Sequence, residues 1–382
     1  MSAGRIAILG AGAMGSALAT PLRAAGWEVA LWGTWLDDHL LAAARAGDPH
    51  PRTDVRVADG VELFDSGDLE QALDGADLAV LAVASVGVLD VAGRALDGLV
   101  RARAVLLTSK GFSPDASGRV RLLPEALRDL ASERGVELPP VVAVGGPCKA
   151  NEVAAGRYTA SIFGCADRSV AEEAAGSIRT DAYRAAVTDD EAGVEICAPM
   201  KNVYAIALGL ADGLQERDDE PYHDLKAATF ARALQEMVVL SAMVGARSET
   251  AMGLAGAGDL EVTGLSGRNK VYGSRIGRGE TPSEALDAMA AAAQRLAERE
   301  VEGVSHDRRV VVAVTASGRI TRLQLKDGVH RRYDTAALGE LVTRTIRQAQ
   351  AKARESYQRD VAALTPPEVA ESEAELHRIW RE

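Results

Sequence analysis

Aromatic residues are scarce in this chain: Phe, Trp and Tyr make up 4% of its 382 residues. Ala, Val and Leu must therefore fill the cores, and there is no platform of rings on which nucleobases could stack. Cysteine is also rare. Cys148, Cys165 and Cys197 are odd in number and lack metal-ligand spacing. That excludes a disulfide framework, gives no metal site, and fits a reducing, cytoplasmic setting. No apolar run reaches the ~18 uninterrupted residues of a membrane span; the longest candidate, Ala76 to Val91, is broken by Asp77 and Asp90. Positive charge is in deficit, with 43 Lys and Arg against 55 Asp and Glu and a net charge of -12. This argues against wrapping nucleic acid along the whole chain, though a local basic face stays open. There is no internal repeat and no low-complexity tract. What is present is a 47% hydrophobic content, enough apolar surface to exclude wholesale disorder. At roughly 100–200 residues per domain, the length implies two or three domains.

The opening M-S-A-G-R looks like the start of a signal peptide, but Gly10, Gly12 and Gly15 interrupt the apolar run behind it. Residues 5–9 (RIAIL) read instead as a buried strand, followed by a helix from Ser16 to Ala25 that Gly26 ends. EVALW (28–32), ADLAVLAVA (76–84), AVLLT (104–108) and VVAV (141–144) are further strands, the apolar ones being of the kind buried on both faces of a parallel sheet. Strands alternating with helical stretches predict a Rossmann-type, doubly wound α/β domain over residues 1–190. From Glu191 strand signals vanish, and residues 191–283 read as an all-helical domain. Near Val301 the texture changes again. VVVAV (310–314) and RITRLQL (319–325), split by the turn Ala316-Ser317-Gly318, predict a β-hairpin, and residues 335–359 a long helix. Together with helix 282–299 these predict a small α+β helix–hairpin–helix module over 284–360, followed by an acidic tail, 361–382.

Five motifs carry chemistry. In Gly10-Ala11-Gly12-Ala13-Met14-Gly15, Gly10 permits a tight turn, Gly12 lets backbone approach a pyrophosphate, and Gly15 lets helix and strand pack closely. The helix amino end then offers N–H groups to phosphate, so Gly10, Gly12, Ala13, Met14 and Gly15 are candidate cofactor contacts. The acidic residue that usually ends the second strand is absent. Trp32-Gly33-Thr34 stands there and Asp37 and Asp38 come late, which leaves NAD and NADP both open. Lys110-Gly111-Phe112 follows a strand and faces the crevice where an anion would bind. Gly145-Gly146-Pro147-Cys148-Lys149 is a turn opening a helix, with Gly146 on the substrate side. Lys201-Asn202 lies in an apolar helix, where an ammonium is costly unless paired or functional. Finally, Asp259, Thr263, Arg268 and Asn269 cluster in a Gly-rich segment suited to pairing a lysine and gripping a phosphate.

Taken in order, GAGAMGSALA, SKGF, GGPCKANEVA, GVEICAPMKNVYAIALGLADGL and MGLAGAGDLEVTGLSGRNKVYGSRIGRG resemble the NAD(P)-dependent glycerol-3-phosphate dehydrogenase family over residues 3–285. The resemblance implies reversible reduction of dihydroxyacetone phosphate, a phosphorylated triose, to sn-glycerol 3-phosphate for phospholipid synthesis, with NAD or NADP. It implies that Lys201 is the catalytic acid/base, that Lys110 sits beside substrate and nicotinamide as a catalytic and cofactor-binding residue, and that Asp259 orients Lys201 at the substrate pocket. Asn202 and Thr263 then complete the substrate pocket, and Arg268 and Asn269 hold substrate phosphate or cofactor. Two departures stand out. Pro199 sits where helix is expected and should kink or start it. Past Val301-Glu302-Gly303-Val304 the chain turns into strands where the family continues in helices, so Glu302 is either the family's cofactor-side position or a coincidence of sequence.

Residues 284–360 resemble the YbaB/EbfC family of nucleoid-associated proteins in the order helix, V-x-G turn, hairpin, long helix. That implies self-association into a homodimer and non-specific DNA binding through 300–360, where Arg308, Arg309, Arg319, Arg322, Lys326, Arg331, Arg332, Arg344, Arg347, Lys352, Arg354 and Arg359 outnumber the acids; the alternative is a basic solvated face on a dimerisation module. The chain thus reads as a fusion or a chimera. The alternatives are a related 2-keto reductase, which has no use for a phosphate grip, and an inactive, cofactor-binding DNA-associated protein.

Overall fold

Every residue of β1 (Arg5–Leu9) after the first is buried, and alternate side chains go to opposite sides. Ile6 and Ile8 join one apolar cluster; Ala7 and Leu9 join the other. A strand buried on both faces needs helices above and below it. In the computed structural model, which describes residues 4–362 except 116, 266, 317 and 318, β1 is central in an eight-stranded sheet. The chain adds β2 (Glu28–Trp32), β3 (Glu62–Phe64), β4 (Leu78–Leu81) and β5 (Ala104–Leu107), then a separate hairpin of β6 (Phe112–Pro114) and β7 (Val120–Leu122). It closes the sheet with β8 (Val141–Gly145), β9 (Thr159–Gly164) and β10 (Tyr183–Thr188).

The sheet order is β10-β9-β8-β5-β4-β1-β2-β3. From β3 to β8 all pairings are parallel; β9 turns antiparallel to β8, and β10 runs parallel to β9. The direction of winding reverses between β1 and β4, which opens a crevice at their carboxyl ends, where such sheets bind ligands. β3, β6, β7, β9 and β10 were not anticipated. Three of them are three residues long, too short for periodicity to register, and β10 alternates buried and exposed positions.

The second layer is built on the helix Glu191–Asp218. Asp190 caps it, accepting from Gly193 N at 2.9 Å, and ties it to the next segments by accepting from Thr250 Oγ1 at 2.6 Å and Arg247 N at 2.9 Å. The helix neither begins nor ends at Pro199 but runs through it. Of the two readings of Pro199, a kink or a start, the start does not hold: the Asp190 cap sets the first residue at Glu191. Proline there removes the backbone donor that would have met the Glu195 carbonyl. Among the described residues this helix is long and apolar enough to cross a membrane, yet 61% of its most apolar window is buried in the protein. Most of its apolar residues are core residues, although Val203 and Leu210 are exposed.

The helix Arg268–Gly277 crosses Glu191–Asp218 at backbone contact. A β-carbon on Gly209 would stand 2.1 Å from the Lys270 carbonyl oxygen, one on Gly213 1.9 Å from that of Ser274, and one on Gly273 1.9 Å from that of Ile206. No side chain fits at those positions. The crossing sets where Arg268 lies relative to Lys201.

The helix Pro282–Glu298 starts in a capping box of Thr281 and Glu284. Then come β11 (Glu300–Val304), β12 (Val310–Thr315) and β13 (Ile320–Leu325), an antiparallel sheet, and the helix Thr335–Ala362. The expected hairpin is therefore three-stranded. Its first strand is exposed at alternate positions and carries a glycine, Gly303, where Ala349 packs too close for any side chain. Val310, Val312 and Val314 pack on Leu341, Ala349 and Ala353. Residues 363–382, read above as most of an acidic tail, and the turn at 317–318 lie outside the described residues.

Gly273→Ala gains about 1 kcal/mol of helix propensity but forces overpacking worth about 1–3 kcal/mol or more. We expect a melting temperature lower by several degrees, read by thermal denaturation; an unchanged or higher value would mean that the helices separate freely.

Candidate active site

β1 runs into Gly10, whose φ of +114° suits glycine and whose β-carbon would sit 2.8 Å from the Ala82 carbonyl oxygen after β4. A β-carbon on Gly15 would sit 2.0 Å from the Gly10 carbonyl oxygen, so the helix Ala13–Ala24 lies hard against the turn. Gly12 is the opposite case: nothing lies within 4 Å of where its side chain would be. It begins the helix with no side-chain cap and no acid in the first turn. Open backbone, uncapped N–H groups and the positive end of the helix dipole fit a pyrophosphate. Gly12, Ala13, Met14 and Gly15 are the residues that would hold a dinucleotide there.

Across the crevice three charges meet. Lys110 comes from the loop after β5, Lys201 from the helix Glu191–Asp218, and Asp259 opens the helix Asp259–Leu265. Asp259 is 1% exposed; its Oδ2 accepts from Lys110 Nζ and its Oδ1 from Lys201 Nζ, each at 2.6 Å. One carboxylate thus neutralises one of two ammoniums and joins the sheet to the helical layer. Burial pulls the Lys110 pKa down, but the charge and hydrogen bond of Asp259 outweigh it, and the net shift is upward. For Lys201, burial and then the Lys110 charge prevail over Asp259, bringing its pKa down to about 8. The two lysines therefore differ in basicity, although each lies 2.6 Å from the same carboxylate.

A cavity of about 480 Å³ lies between the turn and this cluster. Met14, Lys110, Asn202, Thr263, Arg268 and Asn269 line it. Lys201 and Asp259 stand behind Lys110, linked to it through the carboxylate. Thr263 Oγ1 donates to the Asp259 carbonyl at 2.7 Å, fixing the first turn of that helix. Gly146 is in the turn after β8 with φ +110°, against the backbone of Ser161, and does not line the cavity. Glu302 is placed elsewhere. It sits in β11, ion-paired with Arg322 of β13 across Ala313. Glu302 does not line the cavity, and its carboxylate is engaged within the C-terminal sheet.

The sequence reading missed Ala82, Val83, Ala84 and Ser85, which follow β4, together with Thr108, Ser109 and Lys270, all lining the cavity. The small apolar residues carry no chemical signal. Their position past the end of a buried strand next to β1 was the available clue. Lys270 pairs with Asp212 at 2.9 Å, a contact between two helices that spacing does not reveal.

A doubly wound sheet with an open glycine turn, facing a lysine pair across a switch-point crevice, defines a dinucleotide-dependent oxidoreductase. Comparison with known proteins makes the assignment narrower. The NAD-dependent glycerol-3-phosphate dehydrogenase N-terminus matches residues 5–171, and the C-terminus of the same enzymes matches residues 190–332. The chain belongs to the NAD-dependent glycerol-3-phosphate dehydrogenase family. It is 37% identical over 284 residues to the NADP(+)-dependent glycerol-3-phosphate dehydrogenase of Archaeoglobus fulgidus, covering 74% of this chain and 83% of that one. It is 34% identical to the glycerol-3-phosphate dehydrogenase [NAD(P)+] of Xanthomonas campestris, covering 74% and 79%. The crystal structure of glycerol-3-phosphate dehydrogenase from Coxiella burnetii superposes with a TM-score of 0.64 at 30% identity, covering 76% of this chain and 90% of that one. The C-terminal match runs to residue 332, past the boundary expected at 283, and takes in the three-stranded sheet.

Asp259→Ala leaves two ammoniums facing each other with no counter-charge, and unpaired buried charge costs about 3–5 kcal/mol. We expect that loss in urea denaturation at pH 7, with a large part recovered when Lys201→Met is added. Additive losses in the double variant would show that the carboxylate does not couple the two.

Proposed function

We propose that this protein reversibly reduces dihydroxyacetone phosphate to sn-glycerol 3-phosphate, using NADH or NADPH. The observation that carries this is the Lys110–Asp259–Lys201 bridge, whose Lys110 end shares one cavity with Met14 of the glycine turn, Arg268 and Asn269. Bound at the turn, the nicotinamide dinucleotide supplies a hydride. Lys201 gives its Nζ proton to the ketone oxygen as negative charge develops there, becomes a neutral amine, and takes a proton back from solvent. A donor of this kind is worth about 3–4 kcal/mol in the transition state. Lys110, held protonated by Asp259, adds positive charge at the same end of the cavity. Arg268 engages the substrate or cofactor phosphate with its planar guanidinium, while Asn202, Thr263 and Asn269 orient the hydroxyl and carbonyl groups. This reading favours phosphorylated ketones over the substrates of a related 2-keto reductase.

Residues 1–190, 191–283 and 284–360 serve as dinucleotide, substrate and accessory units. For the last we propose self-association and sequence-tolerant DNA binding of the YbaB/EbfC kind. Ile320, Leu323 and Leu325 lie opposite the buried Val314, Val312 and Val310 in register, yet each is more than 40% exposed on a sheet edge. Arg319, Arg322 and Lys326 lie on or beside the same strand. A dimer pairing the β13 edges buries those side chains. The free cysteines, two of them buried, suit the cytoplasm.

Lys201→Ala abolishes turnover, by about 10²–10³-fold or more, and leaves dinucleotide affinity within a few fold; wild-type-like turnover would remove Lys201 from the chemistry. Reduction needs the protonated amine, so its rate falls as pH rises through about 8; oxidation needs the neutral amine and rises over the same interval. Initial rates with dihydroxyacetone phosphate and with glycerol 3-phosphate, from pH 6.5 to 9.5, check both signs. Sedimentation of the intact chain should show a dimer that Leu323→Lys dissociates. A gel shift on unrelated duplexes should weaken steeply with salt, and insensitivity to salt would remove the DNA reading.

A further inference from the structure

A dinucleotide fold ordinarily ends its second strand in a carboxylate that takes the adenosine ribose hydroxyls. Here β2 ends at Trp32, and the first acid is Asp37. Its Oδ2 accepts three hydrogen bonds, from Thr34 N at 2.9 Å, Thr34 Oγ1 at 2.9 Å and Ala11 N at 3.2 Å. A carboxylate oxygen has two lone pairs, so that oxygen is saturated. Bidentate capture of two ribose hydroxyls is closed to it.

Ala11 stands between the first two glycines of the turn. Its carbonyl is also occupied, accepting from Ser16 Oγ at 2.9 Å and pairing with His50 Nε2 at 3.0 Å. His50 is 2% exposed, and its Nδ1 accepts from Arg52 N at 3.2 Å. With Nδ1 accepting, the ring proton is on Nε2, which makes His50 the donor to Ala11. Burial, with Arg52 nearby, keeps the ring's pKa below its ordinary value, although the Ala11 bond and the Asp37 charge oppose this. Both backbone polar groups of Ala11 are thus held by side chains from three separate segments. The N–H groups left for phosphate begin at Gly12.

We infer that Asp37 and His50 are positioning residues that hold the dinucleotide turn through Ala11, and that Asp37 does not read the ribose. This rests on the dinucleotide reading of the turn. The two roles predict opposite outcomes for cofactor choice. A ribose reader repels a 2′-phosphate and binds a 2′-hydroxyl, so removing its charge tightens NADPH and weakens NADH. A turn holder acts on the part common to both, so removing it weakens both alike.

The test is direct binding of NADH and of NADPH to the intact protein, followed by nucleotide fluorescence with no triose present. Asp37→Asn and His50→Ala should each weaken both nucleotides by about tenfold, the worth of one hydrogen bond to a charged or buried group. The NADH-to-NADPH ratio should stay within about twofold, and kcat at saturating nucleotide should change as little, placing the loss in KM. His50→Gln keeps an N–H donor and should recover most of the affinity. Circular dichroism confirms folding, and if His50→Ala fails to fold, Ser16→Ala and His50→Gln carry the comparison at the same carbonyl. Tighter NADPH with weaker NADH in Asp37→Asn would overturn the inference, as would unchanged affinity for both. Wild-type protein binding neither nucleotide would instead defeat the dinucleotide reading itself.

Discussion

Asp259 is a carboxylate almost wholly withdrawn from water, with one ammonium on each oxygen. Taking such charges out of water costs several kcal/mol per ion, recovered only when the geometry is good and the partners are held in place. The partners come from different layers. Lys110 follows a sheet strand, while Lys201 rides on the long helix. The bridge can form only if the helical layer sits on the sheet in one position, and that same position closes the cavity between the glycine turn and Arg268. Burial first, and then the imbalance of two cations on one anion, depresses Lys201 and not Lys110. Two lysines of unequal basicity thus arise from one contact.

The rest of the scaffold serves that placement by allowing backbone to touch backbone. Gly209, Gly213 and Gly273 let two helices cross at a distance no side chain permits. Gly10 and Gly15 do the same between strand and helix at the turn. Gly12 alone of these has empty space beside it, which separates packing glycines from the one that faces a ligand. The C-terminal sheet is a separate small core of valines closed by Leu341, Ala349 and Ala353. It joins the enzyme through the helix Pro282–Glu298, whose capped start marks where the chain leaves the helical layer.

Much of this was legible in residues alone. The strands from β1 to β8 that are buried on both faces announce themselves as apolar runs, and the two long helices as Ala- and Leu-rich stretches. Met14, Lys110, Asn202, Thr263, Arg268 and Asn269 were named before any geometry, and they line one cavity. Short or half-exposed strands left no comparable trace. Pro199 argued for a helix boundary, but the Asp190 cap and the packing of the helix overrode it. The short likeness around Glu302 carried no information about which sheet its strand would join.

The sequence by itself determined the elements, the order of the motifs and the kind of chemistry, since apolar periodicity, glycine spacing and charged side chains in apolar surroundings are local properties. Only the tertiary structure decided that one carboxylate bridges both lysines, that Asp37 turns under the glycine turn, and that Lys110 stays the more basic of the pair. Those outcomes depend on distance and burial between residues as many as 149 positions apart, and such quantities exist only once the layers have packed.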